Sequence, residues 1–323
     1  MPARLIVSGA VAWDVLGQFA GNFTDNIRPS NLDNLSIAFV VDSAETRRGG
    51  TAGNVAYTLG LLGDHPDLVA AVGDDFDEYD RALKRVGVHT SQVKHRAGMP
   101  SAVAHIVSDQ KGRQISMFWP GAMATAPDID LGTIHQAAGR RTVLVLTTDD
   151  PAAMLSHAEQ GQRRGWSIVF APGQQIPALS DDALSNSIAA ASVVVVNEFE
   201  ADMIKQRLHR TAGALARDGR VVVITRGSRG SEVWSDGAAI SIPPAPVDHI
   251  VDTTGAGDAY LAGFVHGYSL GCSPEVAGRI GSLAAAYAVE HRGAQDHRFT
   301  HRQFEARLAS TFGVSLEGTG VHL

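Results

Sequence analysis

Two carboxylates flank a run of tiny residues in VDTTGAGDAYLAGF, residues 251–264, and an apolar-periodic segment follows at once. Gly255, Ala256 and Gly257 lack bulk, so consecutive backbone N–H groups can turn toward a ligand. A helix starting there and running through residues 258–267 aims its unpaired N–H groups and its dipole at an anion. Asp258 then lies in the first turn, ionised and pointing into the same space. An anion hole beside a carboxylate suits a proton acceptor working next to a transferring phosphoryl group. The same letters also describe an ordinary glycine-rich turn with a dipole-stabilising acid, and this stretch alone does not separate the two readings.

A second glycine cluster, RRGGTAGNVAYTLGLLG at residues 47–63, puts Gly49 and Gly50 before a helix-like run with Asn54 near its start. Paired glycines let a ligand approach the backbone, and a carboxamide both donates to and accepts from hydroxyl groups. Taken by itself this cluster also reads as a tight turn leading into a helix.

These residues need a scaffold. Short apolar runs at residues 4–9, 68–73, 142–148, 167–172, 192–197 and 221–227 predict strands buried on both faces, as in a parallel sheet. Helices are expected at 54–62, 150–164, 180–190 and 198–218, the second with Asp150 as N-cap and Pro151 in the first turn. The alternation predicts a doubly wound α/β fold with a mostly parallel sheet, its ligands beyond the carboxyl ends of the strands. Two segments break the pattern. LSIAFVVDS, residues 35–43, looks extended, and residues 101–119 read as a hairpin turning at Asp-Gln-Lys-Gly. The expected division is therefore a core of residues 1–14, 49–100 and 123–323 and a small β-sheet lid of residues 15–48 and 101–122.

Composition narrows the setting. A net charge of −7 over 323 residues gives no basic field for nucleic acid polymers or anionic membranes. The chain holds a single cysteine, Cys272, which excludes an internal disulfide framework and a thiolate zinc cluster and fits a reducing cytoplasm. No run has the roughly 18 apolar residues of a membrane span, and the N-terminal residues lack the pattern of a signal peptide. His291, His297 and His301 read as solvated loop residues, and Cys272 as a helix-end residue.

GGTAGN followed about 200 residues later by DTTGAGD resembles the two signature motifs of the ribokinase-like (PfkB) family of small-molecule kinases. The resemblance covers nearly the whole chain. It implies that Asp258 is the catalytic base, that Gly255, Ala256 and Gly257 form the anion hole, and that ATP is the phosphoryl donor. Asn197 and Glu200 in VVVVNEFEAD match the family's Asn-x-x-Glu motif, which organises hydrated Mg²⁺ near the phosphates. Without the resemblance, Glu200 reads as a first-turn helix acid. TRGSRG, with Thr225, Gly227 and Gly230, resembles the family's phosphate and ribose loop. Its glycine spacing is not a dinucleotide fingerprint, the following SEVW reads as a strand, and no Walker A motif is present. Gly293 and Ala294 resemble the loop near the adenine, and Asp252 and Thr254 would frame a monovalent-cation (K⁺) loop.

For the acceptor, the resemblance makes Asp14 the carboxylate that clamps a vicinal diol, completed by Asn54 and the Gly50 backbone. QISMFWPGAM, APGQQ and the expected lid strand are similar to segments of bacterial adenosine kinases and broad nucleoside kinases. They imply a nucleobase stacked on Phe118 and edged by Gln174 and Gln175, although Phe118 also reads as a lid-packing residue. Ala38 and Ala104 stand where adenosine kinase relatives bring larger or hydroxyl-bearing groups, and Ala171 replaces a common Asp, which points to relaxed base selectivity. The expectation is phosphorylation of a nucleoside 5′-hydroxyl, adenosine included. A sugar kinase of the ribokinase or fructokinase kind is the alternative, and a non-catalytic nucleoside sensor is the reading from another class. Exposed lid strands could pair two copies into a homodimer, and the sequence leaves monomer and dimer both open.

Overall fold

A computed structural model of the chain describes residues 3–27, 38–135 and 139–316. Its strands are β1 (Arg4–Ser8), β2 (Ala12–Gln18), β3 (Ser43–Gly49), β4 (Asp67–Val69), β5 (Ala71–Val72), β6 (Lys94–His95) and β7 (Ala102–Ser108). They continue as β8 (Gln114–Trp119), β9 (Thr142–Leu146), β10 (Ser167–Phe170), β11 (Val193–Asn197), β12 (Val221–Thr225), β13 (Ser231–Ser235) and β14 (Ala238–Ile242). The helices are α1 (Phe23–Asn26), α2 (Thr51–Leu61), α3 (Asp77–Arg85), α4 (Pro151–Arg163) and α5 (Asp181–Ala190). After them come α6 (Glu198–Leu208), α7 (Ala212–Arg217), α8 (Ala256–Ser269), α9 (Pro274–Val289) and α10 (His301–Phe312).

The large sheet has the order β14-β13-β12-β11-β10-β9-β1-β4. All its pairings from β12 to β4 are parallel, and β12–β13 and β13–β14 are antiparallel. Alternation along each strand explains why it is covered on both sides. Leu5, Val7, Val143 and Val145 bury into one layer with residues of α2 and α8, whereas Ile6, Leu144, Leu146 and Phe170 bury into the other with residues of α4, α5 and α6. The expected doubly wound, mostly parallel α/β sheet is what forms. Asp150 caps α4 by accepting from the Ala152 and Ala153 N–H groups at 2.9 and 3.3 Å, with Pro151 in the first turn.

A separate four-stranded sheet has the order β3-β2-β7-β8 and forms the lid. The hairpin β7–β8 is where the sequence placed it, but the lid strand expected at 35–43 is not. Residues 38–42 carry no strand, 35–37 lie outside the described residues, and the strand is β3, rich in charged residues. The expected boundaries at 14/15 and 48/49 fall inside β2 and β3. Charged side chains hid β3, because half its positions face water or ion partners rather than the core.

Two further expectations are corrected. The run 68–73 is not one strand: β4 joins the large sheet, and β5 leaves it to pair with β6. The helix expected over 198–218 is two, because His209 takes a left-handed φ of 53° and Thr211 then caps α7 by accepting from the Ala214 N–H. Among the described residues no helix is long and apolar enough to cross a membrane.

Candidate active site

The site is assembled from the carboxyl ends of the central strands, the starts of α2 and α8, and the inner face of the lid. Asn197 and Thr225 are the last residues of the neighbouring parallel strands β11 and β12 and pair with each other in register. Gly50, with φ of 81°, and Gly255, with φ of 76°, hold the left-handed turns that precede α2 and α8. A side chain at Gly255 is excluded twice, since a Cβ there would also lie 2.4 Å from the Ala294 Cβ.

Two residues 204 positions apart meet between these helices: Asn54 Nδ2 donates to Asp258 Oδ2 at 2.8 Å. Asp258 occupies the first turn of α8, half-buried, and Asp14 and Glu200 press on its charge. Its expected ionised state is corrected here. Burial is the largest influence, the two neighbouring carboxylates add repulsion, and the Asn54 donor opposes both; the Asp258 carboxyl is pushed up to about 7. Asp14, on β2 and 9% exposed, is pushed up to about 6 by burial. Its carboxylate fits because residue 49 is glycine: a Cβ there would fall 2.1 Å from Asp14 Oδ2.

The glycine turn does not offer all three of its N–H groups equally. The Ala256 N–H is turned back to the Thr253 carbonyl at 3.2 Å. Those of Gly257 and Asp258, at the second and third helical positions, have no acceptor within the helix. A Cβ built on Gly257 meets nothing within 4 Å, so this backbone faces open space. That space is a mainly apolar cavity of about 510 Å³ lined by Thr225, Gly227, Gly230, Ala256, Gly257 and Tyr260. Val247, Ile250, Ala286 and Val289 line it as well and were not anticipated. The cavity can take a flat apolar ring at one end and an anion at the other.

Gly293 and Ala294 are not on that cavity. They line a second one of about 310 Å³ with Trp13, Arg47 and Arg48 from the lid strands. The Gly293 N–H donates to Asp252 Oδ2 at 2.8 Å, and the Thr254 N–H to Asp252 Oδ1 at 2.9 Å. Asp252 therefore ties the two glycine-rich loops together, and those donors help hold its carboxyl below the usual range against its burial. Asn197 and Glu200 form a reciprocal capping box, Glu200 accepting from the Asn197 N–H and Nδ2 at 2.9 and 2.8 Å. This accounts for both residues without a metal. Each Glu200 oxygen keeps lone pairs, and hard oxygen donors suit water-mediated contact with Mg²⁺ rather than a protein cage. Among the described residues no three His, Cys, Asp or Glu side chains converge to hold a metal.

The lid register puts Phe118 with Asp14. Asp14 pairs across β2–β7 with Ala104, and Ala104 across β7–β8 with Phe118, so the three form one row on one face. Phe118 is 48% exposed, and the residue between it and Asp14 in that row is the small Ala104. Gln174 is exposed, and Gln175 donates to the Asp149 carbonyl at 2.8 Å. Three residues escaped the sequence analysis. Asp149 is a carboxyl beyond β9, buried and pushed up to about 7, which had been lost behind the cap at Asp150. Tyr79 and Gln295 are buried polar groups linked to Asn54. His297 is corrected too: it is fully buried, contacts Thr58 Oγ1 at 3.1 Å, and is pushed down to about 4, first by burial.

Comparison with known proteins agrees with this geometry. The family model described as pfkB family carbohydrate kinase matches residues 25–300. The chain is 28% identical over 300 residues to a nucleoside kinase of Methanocaldococcus jannaschii, covering 91% of this chain and 95% of that protein. It is 34% identical over 250 residues to a nucleoside kinase of Methanothermobacter thermautotrophicus, covering 76% and 80%. The structure of Burkholderia thailandensis nucleoside kinase in complex with inosine superimposes with a TM-score of 0.88 at 29% identity, over 97% of this chain and 99% of that one. With the family model matched over residues 25–300 and these relatives on the same fold, the chain belongs to the pfkB family of carbohydrate kinases and is a phosphotransferase with a hydroxyl group as acceptor.

Proposed function

We propose that the chain transfers the γ-phosphoryl group of ATP to the 5′-hydroxyl of a nucleoside. The observation that carries this reading is the clustering of Asp258 with Asn54, its hydrogen-bond partner, and with Asp14, which acts on its charge, beside a Gly257 backbone that opens onto the neighbouring cavity. The nucleoside kinases among its relatives and the inosine-bound neighbour support the acceptor class.

Asp14 and Asn54 hold the ribose diol, and the base lies along the row toward Phe118 over Ala104. Asp258, once ionised, accepts the 5′-hydroxyl proton as that oxygen attacks the phosphorus in line. The N–H groups at the α8 start face the charge that develops on the transferred group. Mg²⁺ bound near Glu200 through water would neutralise phosphate charge, and Asp252 and Thr254 would frame a K⁺ loop. Gln174, Gln175, Gly293 and Ala294 have supporting rather than contacting positions in this arrangement.

Measuring ADP release with adenosine, inosine, cytidine, ribose and fructose tests the reading. Turnover with several nucleosides is expected, because nothing larger than Ala104 polices the base. Turnover with free sugars alone would reassign the diol clamp to a sugar kinase, and silence with every acceptor would point to a sensor. Pairing of two copies through the lid belongs to the same proposal. β8 ends the lid sheet, and Ile115, Met117 and Trp119 are exposed on its face opposite Phe118.

A further inference from the structure

Behind Asp258 runs a buried chain of hydrogen bonds that no kinase motif requires. The Tyr79 hydroxyl donates to the Gly49 carbonyl at 2.7 Å. Gln295 Nε2 donates both to that hydroxyl and, at 2.8 Å, to Asn54 Oδ1. Asn54 Nδ2 donates to Asp258. Gln295 is 2% exposed and Tyr79 fully buried, so no water competes for these groups.

The direction of the chain follows from its first link. A backbone carbonyl only accepts, so the single Tyr79 proton is spent on Gly49, and toward Gln295 the hydroxyl only accepts. Burial pushes the Tyr79 hydroxyl upward, so it keeps that proton throughout the working range. Gln295 must then present its NH₂ group, whose second hydrogen goes to Asn54. Its own Oε1 is left buried without a partner, a cost that the two N–H bonds offset. Asn54 must meet Gln295 with its oxygen and therefore Asp258 with its nitrogen. Gly53 makes the first link possible, since a Cβ there would sit 2.0 Å from the Tyr79 hydroxyl.

We propose that Gln295, set by Tyr79, is a positioning residue that locks the Asn54 carboxamide with its N–H aimed at Asp258. Freed from Gln295, Asn54 can turn its carbonyl to the carboxyl group, which favours the protonated acid. The other groups acting on Asp258 push the same way: Asp14 from β2 and Glu200 from α6. Arg48 of β3 and Asp14 face the Tyr79 hydroxyl. The Asn54 bond is the side-chain hydrogen bond that opposes burial and repulsion, so its orientation changes how much ionised Asp258 exists near neutral pH. The kinetic consequence rests on the proposed role of Asp258 as base; the structural one does not.

Carbon-13 NMR of the full chain with labelled aspartate carboxyls reads Asp258 directly, its resonance identified by its loss in Asp258→Asn. In Gln295→Leu its titration midpoint is expected to rise by roughly one pH unit, the size of one lost N–H donor to a carboxylate. Tyr79→Phe, which keeps the ring against Trp13, should move it in the same direction and serves if the first variant does not fold. An unchanged midpoint in the folded variants overturns the proposal. The acidic limb of kcat/KM should move with the midpoint. A midpoint that moves while the rate profile stays put leaves Gln295 in place and removes Asp258 from the role of base.

Discussion

At the scale of single residues, the chemistry turns on a contest at Asp258. A helix N-terminus and an Asn54 donor favour the carboxylate; burial and the charges of Asp14 and Glu200 oppose it and win. The acid therefore titrates near the pH at which a general base works best. Two measurements follow. In the free enzyme kcat/KM should fall below an acidic limb centred near pH 7. Asp258→Asn should lower kcat by about 10²–10⁴-fold while nucleoside affinity, read by calorimetry, stays within a few-fold. Normal turnover in that variant would end the base assignment. The same shift has a sign in stability. Because the folded-state value lies above the unfolded one, folding retains a proton as pH rises from about 4 to 7, and stability is lost across that window. Asp258→Asn should therefore melt higher than the parent at pH 8 and equally at pH 4, a difference that differential scanning calorimetry resolves.

At the scale of elements, the catalytic geometry depends on how α8 begins and on how the lid strands are registered. Gly255→Ala meets both a left-handed φ of 76° and the Ala294 Cβ. It should cost roughly 1–2 kcal/mol of stability from the backbone strain alone, and displace the turn proposed to face the transferred phosphoryl group. Ala294→Gly added to it should relieve only part of the clash, because the backbone Cα of residue 294 still lies 2.8 Å from the new Cβ, and none of the strain, so denaturant unfolding should show at most partial recovery. Phe118→Ala tests the lid row. It should raise the nucleoside KM about tenfold or less, in line with a lost aromatic contact, and leave kcat close to the parent. Equal KM values would make Phe118 a surface residue. The lid register also shows why β2 and β3 were hard to read, since they are stabilised by pairing with lid strands, β2 with both β3 and β7, rather than by the large sheet.

At the scale of the whole molecule, two layers of helices bury a parallel sheet and a small second sheet projects with one exposed edge. If that edge pairs two copies, sedimentation should give a dimer, and Met117→Lys, at a position 66% exposed, should return it to the monomer with its fold intact. A parent chain that sediments as a monomer at every concentration would remove the lid interface from the proposal.

Much of this was legible beforehand because it is written locally. Apolar runs of strand length, Asp150 before Pro151, and glycines ahead of a carboxylate each act through neighbours a few residues away. So the α/β class and a helix start at the glycine turn before Asp258 could be set down from local letters, whereas the pairing of that motif with Asn54 came from the family resemblance. The tertiary structure decided what depends on distant partners. It put Gly293 and Ala294 on a different cavity from the one beside Gly257, buried His297, and placed Phe118 in a row with Asp14. It also raised the Asp258 carboxyl toward neutrality. The reason is that residue types and spacing specify what a group is, whereas desolvation and hydrogen-bond direction depend on what the folded chain brings within a few ångströms of it.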